Sequence, residues 1–266
     1  MGLIGAAFGI GFILGPPLSG MLAAYGTHHG FHGNSLPGAA AATLSLVALS
    51  IAFLSLGESR PFNLAPRRSA LPPQFDRGLW REVAAHAVIG ASILAIFLSV
   101  TAVAGMETSV TLHARDRFDF RQMDMAYFFL FMGVIVGGIQ GAAIGPLSKR
   151  FGERKLVLIG TAAFTLGFLL VPSIFRVPLL YAVALLIAIG QGLSYTSLTS
   201  IISKAAPAAE RGSILGFASG LGSLARFIGP IAAGLLYDLA GARGAFYEGA
   251  ALTAAAFAVV LSMRRG

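Results

Sequence analysis

The sequence predicts an all-α membrane protein, a polytopic bundle of helices. Three observations carry that prediction. Hydrophobic residues make up 56% of the 266 residues and charged residues only 11%, against about 25% charged in a typical soluble domain. The apolar residues come in long runs, and residues 1–57 contain no Asp, Glu, Lys or Arg at all. Those runs do not alternate polar with apolar residues as the strands of a membrane barrel would, so each is read as a helix. The same composition excludes a disordered chain, which needs low hydrophobicity and high charge. Cysteine is absent, which excludes disulfides and thiolate metal sites.

A membrane-spanning helix needs about 20 mostly apolar residues, and eight such segments are expected. The first apolar run is cut by the Gly/His/Asn-rich stretch 27–37. This separates a span at about Leu3–Tyr25 from one at about Gly38–Leu56. The next four are placed at about His86–Thr108, Met125–Leu147, Leu156–Phe175 and Val177–Ile202. A seventh, about Ser213–Tyr237, contains Arg226, and an eighth, about Gly244–Met263, has Glu248 near its start. Met1 is followed directly by apolar residues, with no basic leader or small-residue cleavage site, so the first span is read as retained.

The net charge of +8 orients these spans rather than marking a nucleic-acid partner. Lys and Arg accumulate in cytoplasmic loops. One set of alternate loops holds Arg60, Arg67, Arg68, Arg77, Arg81, Lys149, Arg150, Arg154, Lys155, Lys204, Arg211, Arg264 and Arg265. The other holds only Arg115, Arg117, Arg121, Arg176 and Arg243. The bias places both chain ends in the cytoplasm, on one side of the cell (inner or plasma) membrane as an even number of spans requires. The Pro- and Arg-rich stretch 58–85 is read as a cytoplasmic linker, solvated or held on anionic lipid. It divides 1–57 from a six-span bundle, 86–266.

An internal repeat is the most informative pattern. Gly2, Gly11, Gly15-Pro16, Ser19 and Gly20 recur as Gly216, Ala225, Gly229-Pro230, Ala233 and Gly234, each offset by 214 residues. Six spans separate the two copies. Small residues at this spacing let helix backbones approach closely, and Gly-Pro removes a backbone bond where bending is useful. Two parallel six-helix halves are implied, one of them incomplete.

The first copy resembles the antiporter motif of the major facilitator superfamily, found in the fifth of its twelve helices, with Ser19 where the family has glycine. Gly145-x-Leu147-Ser148-Lys149-Arg150-x-Gly152-Glu153-Arg154-Lys155 resembles the family's cytoplasmic loop motif between helices eight and nine. It places Lys149 where an acid is usual and Glu153 where a base is common. Pro207-x2-Glu210-Arg211-Gly212 resembles the loop before helix eleven. Glu107-Thr108 and Gln140-Gly141 are similar to the tetracycline-efflux and multidrug:proton antiporter branch. The resemblance implies helices five to twelve, a first segment of four helices supplied elsewhere or lost, and a two-half bundle working by alternating access.

Ionisable groups inside a bilayer are costly and are functional candidates by default. Arg226 lies mid-span and must face the bundle or a wet cavity. It is either an anion-attracting or gating charge, or a structural arginine on carbonyls freed by the Gly-Pro bend. Glu107 is either a proton-coupling carboxylate or a tie at a helix end beside Arg115 or Arg117. Asp238 and Glu248 are placed at the interface. Gln140, Gln191 and Tyr195 are polar groups in apolar spans, and Gln191 and Tyr195 share a helix face. They either hydrogen-bond a substrate or bond neighbouring helices. Gly133, Gly137, Gly141 and Gly145 form a four-step ladder read as a packing groove. His28, His29 and His32 share a loop without a carboxylate or thiolate, so no metal is assigned. No nucleophile–base pair, HExxH or P-loop occurs, so no enzyme activity, cofactor or ATP drive is assigned.

The expected function is therefore proton-coupled efflux of small amphipathic molecules. Uptake by symport and a non-transporting remnant are the alternatives. Leucine at Gly15 is expected to impair transport or assembly.

Overall fold

The computed structural model describes residues 2–32, 35–55, 83, 86–208 and 210–263. Apart from Val83, the linker 58–85 lies outside them, as do Arg264 and Arg265. Side-chain burial is not assigned for residues 2–10, 12, 13 and 16. The described chain is helical throughout: α1 (Gly2–His28), α2 (Ser35–Ser55), α3 (Ala87–Phe118), α4 (Gln122–Gly138), a π-helical segment (Ile139–Ala143), α5 (Ile144–Phe151), α6 (Glu153–Leu170), a 3-10 turn (Val171–Ser173), α7 (Val177–Ala205) and α8 (Arg211–Ser262). Among the described residues, six segments are long and apolar enough to cross a bilayer, with Gln122–Phe151 counted as one.

Helix α8 is 52 residues long. At about 1.5 Å per residue it measures about 78 Å, far beyond the roughly 30 Å apolar core of a bilayer. It is two arms, 211–240 and 242–262, joined at Gly241, whose φ of 66° and ψ of −164° break the helix. The seventh and eighth expected spans correspond to these arms. Helix α1, continuous through Pro16 and Pro17, the five other segments and the two arms of α8 bring the described chain to the eight spans expected.

Local chemistry sets the ends. Helix α3 extends ten residues beyond the expected Thr108, because Val110, His113 and Ala114 continue its packed side before Asp119 stops it. Asp119 takes the left-handed conformation (φ 55°), and its N–H and that of Phe120 donate to the carbonyls of Arg115 and Ala114. That arrangement satisfies the last open carbonyls of the helix. Asp124 then caps α4 by accepting from the Arg121 N–H at 2.9 Å. Helix α6 ends five residues short of Phe175, because Pro172 cannot supply the next backbone bond. Gly152, at φ 77°, makes the one-residue turn from α5 to α6.

The π segment was not expected. Pro146 lacks the N–H that would bond the Ala142 carbonyl, and its ring crowds that carbonyl. The chain accommodates this by widening the preceding turn, so that Ile144 N–H bonds Ile139 O, five residues back. Such a turn rotates everything after it out of the four-residue register. The Gly133–Gly145 ladder therefore does not keep one face. Gly133 is buried, whereas a methyl group built at Gly141 or Gly145 meets no described atom within 4 Å. The packing groove expected from the four-step spacing is confined to the part before the bulge.

Helices α3 to α8 enclose two apolar clusters. One gathers Met106, Val110, Phe128, Phe164, Phe168, Leu180 and Phe246. The other gathers Ile89, Ile93, Val157, Leu198, Ile202, Ile214 and Phe217. Between them the helices meet almost backbone to backbone. A methyl group built at Gly229 would lie 2.5 Å from the Thr101 carbonyl oxygen and 2.9 Å from the Gly105 nitrogen. One built at Gly190 would lie 2.8 Å from the Gly160 oxygen and 2.8 Å from the Phe164 ring. Large side chains fill the two ends and glycines make the waist, as expected where van der Waals packing drives association in lipid.

Helix α1 lies along α4 and the π segment, and α2 packs against α1. A methyl group built at Gly20 would meet Ala126 Cβ at 3.2 Å and Met123 Sδ at 3.3 Å. Helix α2 buries none of its described side chains. Along the first repeat copy, the tight contact within this chain is thus at Gly20. Built methyl groups at Gly11 and Gly15 meet no described atom within 4 Å.

Candidate functional site

The bundle has two rims. The basic rim carries Lys149, Arg150, Arg154, Lys155, Lys204 and Arg211. The opposite rim carries the turns at 119–121, 174–176 and Gly241. Between them lie the polar candidates.

On the first arm of α8, the residues Ser219, Ser223, Arg226, Pro230 and Tyr237 recur at steps of four, three, four and seven. They share one flank, while exposed Leu224, Phe227, Ile231 and Leu235 form another. The apolar flank suits lipid. Arg226 is exposed in this chain and donates no hydrogen bond to any described residue. Bonds to the carbonyls around Gly229-Pro230 are not formed. Glu107 on α3 lies within electrostatic reach of Arg226. It is half-buried, and α3 continues past it to Phe118, so it does not sit at a helix end. The two arginines considered as its partners are engaged elsewhere. Arg115 pairs with Asp116 at 3.3 Å, and Arg117 stacks over Phe175 with 4.6 Å to the ring centroid.

Gln140 falls within the π segment. Its neighbour Ile139 covers Gly192: a methyl group built there would lie 2.9 Å from Ile139 Cγ2. That contact brings Gln140 to the stretch of α7 that carries Gln191 and Tyr195. Gln140 and Gln191 are half-buried and Tyr195 is exposed. None of the three side chains makes a hydrogen bond with a described residue. Helix–helix bonding, the alternative considered for them, is not formed within the described chain. A π turn places a side chain and loosened backbone at one spot, which is why such turns gather at functional sites.

The loop motif folds at the basic rim. Gly145 lies on the open side, and Gly152 supplies the turn. Arg150 stacks over Phe151 at 5.3 Å, and Lys155 is exposed. Arg154 reaches the far end of α8, its Nε donating to Val260 O at 3.3 Å and its Nη2 to Leu261 O at 2.8 Å. Glu153 is the node that sequence reasoning did not assign. Its Oε1 accepts from Ser148 Oγ at 2.9 Å, from Ser200 Oγ at 3.4 Å and from the Lys204 ammonium.

The opposite rim is tied as well. Tyr237 OH donates to Asp116 Oδ2 at 3.0 Å, joining α8 to α3. His113 is buried edge-on between Phe118 and Phe246, with centroids 6.0 and 5.6 Å away. Asp238 is exposed and Glu248 half-buried. Phenylalanine at Tyr237 is expected to lower stability by about 1 kcal/mol, the usual worth of one such bond. A thermal-unfolding midpoint in detergent would show it, and an unchanged midpoint would mean that the rim tie carries no stability. His29 stands beside Tyr25, and His28 edge-on to His29, where α1 ends. No group of three or more metal-ligating side chains occurs among the described residues.

Comparison with known proteins places this geometry among transporters. The family model of the Major Facilitator Superfamily matches residues 1–144 and 138–265. The class C tetracycline resistance protein of Escherichia coli is 26% identical over 242 residues, covering 89% of this chain and 57% of the relative. Multidrug resistance protein 2 of Bacillus subtilis (strain 168) is 27% identical over 241 residues, covering 90% of this chain and 58% of the relative. This chain spans a little over half the length of these curated relatives. The crystal structure of the human organic anion transporter MFSD10 (TETRAN) superposes with a TM-score of 0.59 at 26% identity, over 65% of this chain and 40% of that one.

Proposed function

Because this chain belongs to the Major Facilitator Superfamily, we propose that it works in secondary transport, exporting small amphipathic molecules by alternating access in exchange for protons. Residues 1–57 act as the last two helices of one half, 58–85 as the linker, and 86–266 as the second half. The basic rim faces the cytoplasm of the cell membrane, following the sidedness of Lys and Arg.

One observation carries this reading. Gln140, Gln191, Tyr195 and Arg226 project polar groups at bilayer depth from α4–α5, α7 and α8, and none bonds another described residue. A polar group without a partner in hydrocarbon costs several kcal/mol, about 2–7 by transfer measurements. Side chains of this kind face water or a cargo, and α7, which carries two of them, packs against the π segment and α8. Glu107, in reach of the Arg226 charge, is the carboxylate through which proton binding and cargo binding influence each other. The tetracycline and multidrug relatives are named for resistance, which supports export over uptake.

The test is accumulation of a fluorescent amphipathic dye in cells making the protein. Lower accumulation than in control cells, abolished by a protonophore, is the expected result. Higher accumulation would reverse the direction to uptake. Equal accumulation across a panel of dyes, with protein present in the membrane, would support the non-transporting alternative.

A further inference from the structure

Beside Met106, Val110 and Phe246 in one of the apolar clusters, two buried polar atoms lack partners. Ser109 is 1% exposed and His113 is 7% exposed. Neither the Ser109 hydroxyl nor His113 Nε2 makes a hydrogen bond with a described residue. Both lie on α3, four residues apart, so they share one face of the helix. That row starts at Gly105, where α3 meets the first arm of α8 at the waist. It ends where the His113 ring meets Phe246 on the second arm.

Local bonding does not account for the Ser109 hydroxyl. On the same helix, Ser92 Oγ, Thr101 Oγ1 and Thr111 Oγ1 each donate to the carbonyl four residues back, at 2.7, 2.8 and 2.7 Å. Ser109 makes no such bond. Polar atoms left unpaired in apolar surroundings are costly, and each one calls for a partner.

The chemistry of the two atoms selects that partner. A hydroxyl both donates and accepts, and Nε2 of a neutral imidazole does one or the other according to its tautomer. A metal ion would find a single imidazole there, in no cluster of ligating side chains. Any other ion would have to exchange its hydration shell for one hydroxyl and one ring nitrogen among Met106, Val110 and Phe246. An apolar molecule would leave both atoms as they are. Water donates and accepts, and buried waters in proteins bond to polar groups of this kind.

We propose that Ser109 and His113 bind one buried water molecule where α3 meets the second arm of α8. The water completes the bonding of both side chains and fixes which nitrogen of His113 carries the proton. The site does not depend on the transporter reading.

Nitrogen-15 NMR of the histidine-labelled protein in detergent reads it directly. The chain has five histidines, and His113 is the one whose signals are missing from His113→Leu, or from His113→Gln if the leucine variant does not fold. Magnetisation should pass from a long-lived water to the His113 ring. Ser109→Ala should weaken that transfer several-fold while the ring signals remain. A resolved His113 signal that receives nothing from water would overturn the site, as would transfer unchanged in Ser109→Ala. Thermal midpoints give a second reading. Ser109→Ala and His113→Leu should each lower the midpoint by about 2–4 °C. The double variant should fall no further than the lower single, because no polar partner is left behind. Shifts that add, or single variants that raise the midpoint, would show two separate dry atoms and overturn the shared water.

Discussion

Valine at Gly229 should prevent this chain from reaching its folded state, or lower its stability by about 3 kcal/mol or more, the upper range for overpacking. The cause is the waist between the two apolar clusters. The new side chain would begin 2.5 Å from a backbone carbonyl of α3, and backbone cannot swing aside as a side-chain end can. Separating α3 from α8 enough to admit it would also part Gly105 from Ala233, whose Cβ lies only 2.9 Å from a methyl group built at Gly105. The measurement is the monodisperse fraction on size-exclusion chromatography together with the thermal midpoint in detergent. Leucine at Gly15, the repeat counterpart, is the control: with no described atom within 4 Å, it should leave the midpoint of this chain nearly unchanged. Its expected cost is in transport, where the antiporter-type motif of Gly2, Gly11, Gly15, Pro16, Ser19 and Gly20 is proposed to act. Equal stability of the Gly229→Val and wild-type chains would show that the waist is looser than the structure describes.

Alanine at Arg226 is expected to do the opposite, with transport lost and the fold kept. The guanidinium bonds no described residue, so its removal breaks no internal hydrogen bond. Hydrogen bonds to charged groups are worth about 1.5–3 kcal/mol, so losing its contact to a bound anion or to a charged intermediate should slow transport by roughly ten- to a hundred-fold. Lysine, which keeps the charge and loses the fork of donors, should recover part of the rate. Dye efflux in the alanine and lysine variants, matched for protein in the membrane, decides the matter. A midpoint that falls in step with efflux would assign Arg226 a structural duty instead.

The spans and the repeat were readable because hydrocarbon imposes its demands locally. Twenty apolar residues announce a crossing wherever they occur, and the 214-residue offset needs only a comparison of the chain with itself. What escaped the sequence depends on geometry that local rules do not contain. The four-step ladder through Gly141 assumed regular helix, and Pro146 had already changed the pitch ahead of it. Glu153 was recognised as a departure from the family's charges, but its partner Lys204 lies on another helix. The absence of bonds at Gln140, Gln191 and Tyr195 is likewise a property of three-dimensional neighbours. Their residue types alone suited a bond between helices equally well. Arg226 shows the same limit from the other side. Its placement mid-span was legible, yet the flank it occupies follows from which face of α8 meets α3.

The turn at Gly241 has a practical consequence. It joins the two arms of α8 through one residue, and the neighbouring connections on that rim, 119–121 and 174–176, are three residues each. At these three turns a protease or an antibody finds almost no extended backbone to grip. Epitope tags and labels inserted there would have to split a helix end. The basic rim, with an exposed α5 and its row of cations, offers more to cut, capture or mark than those turns do.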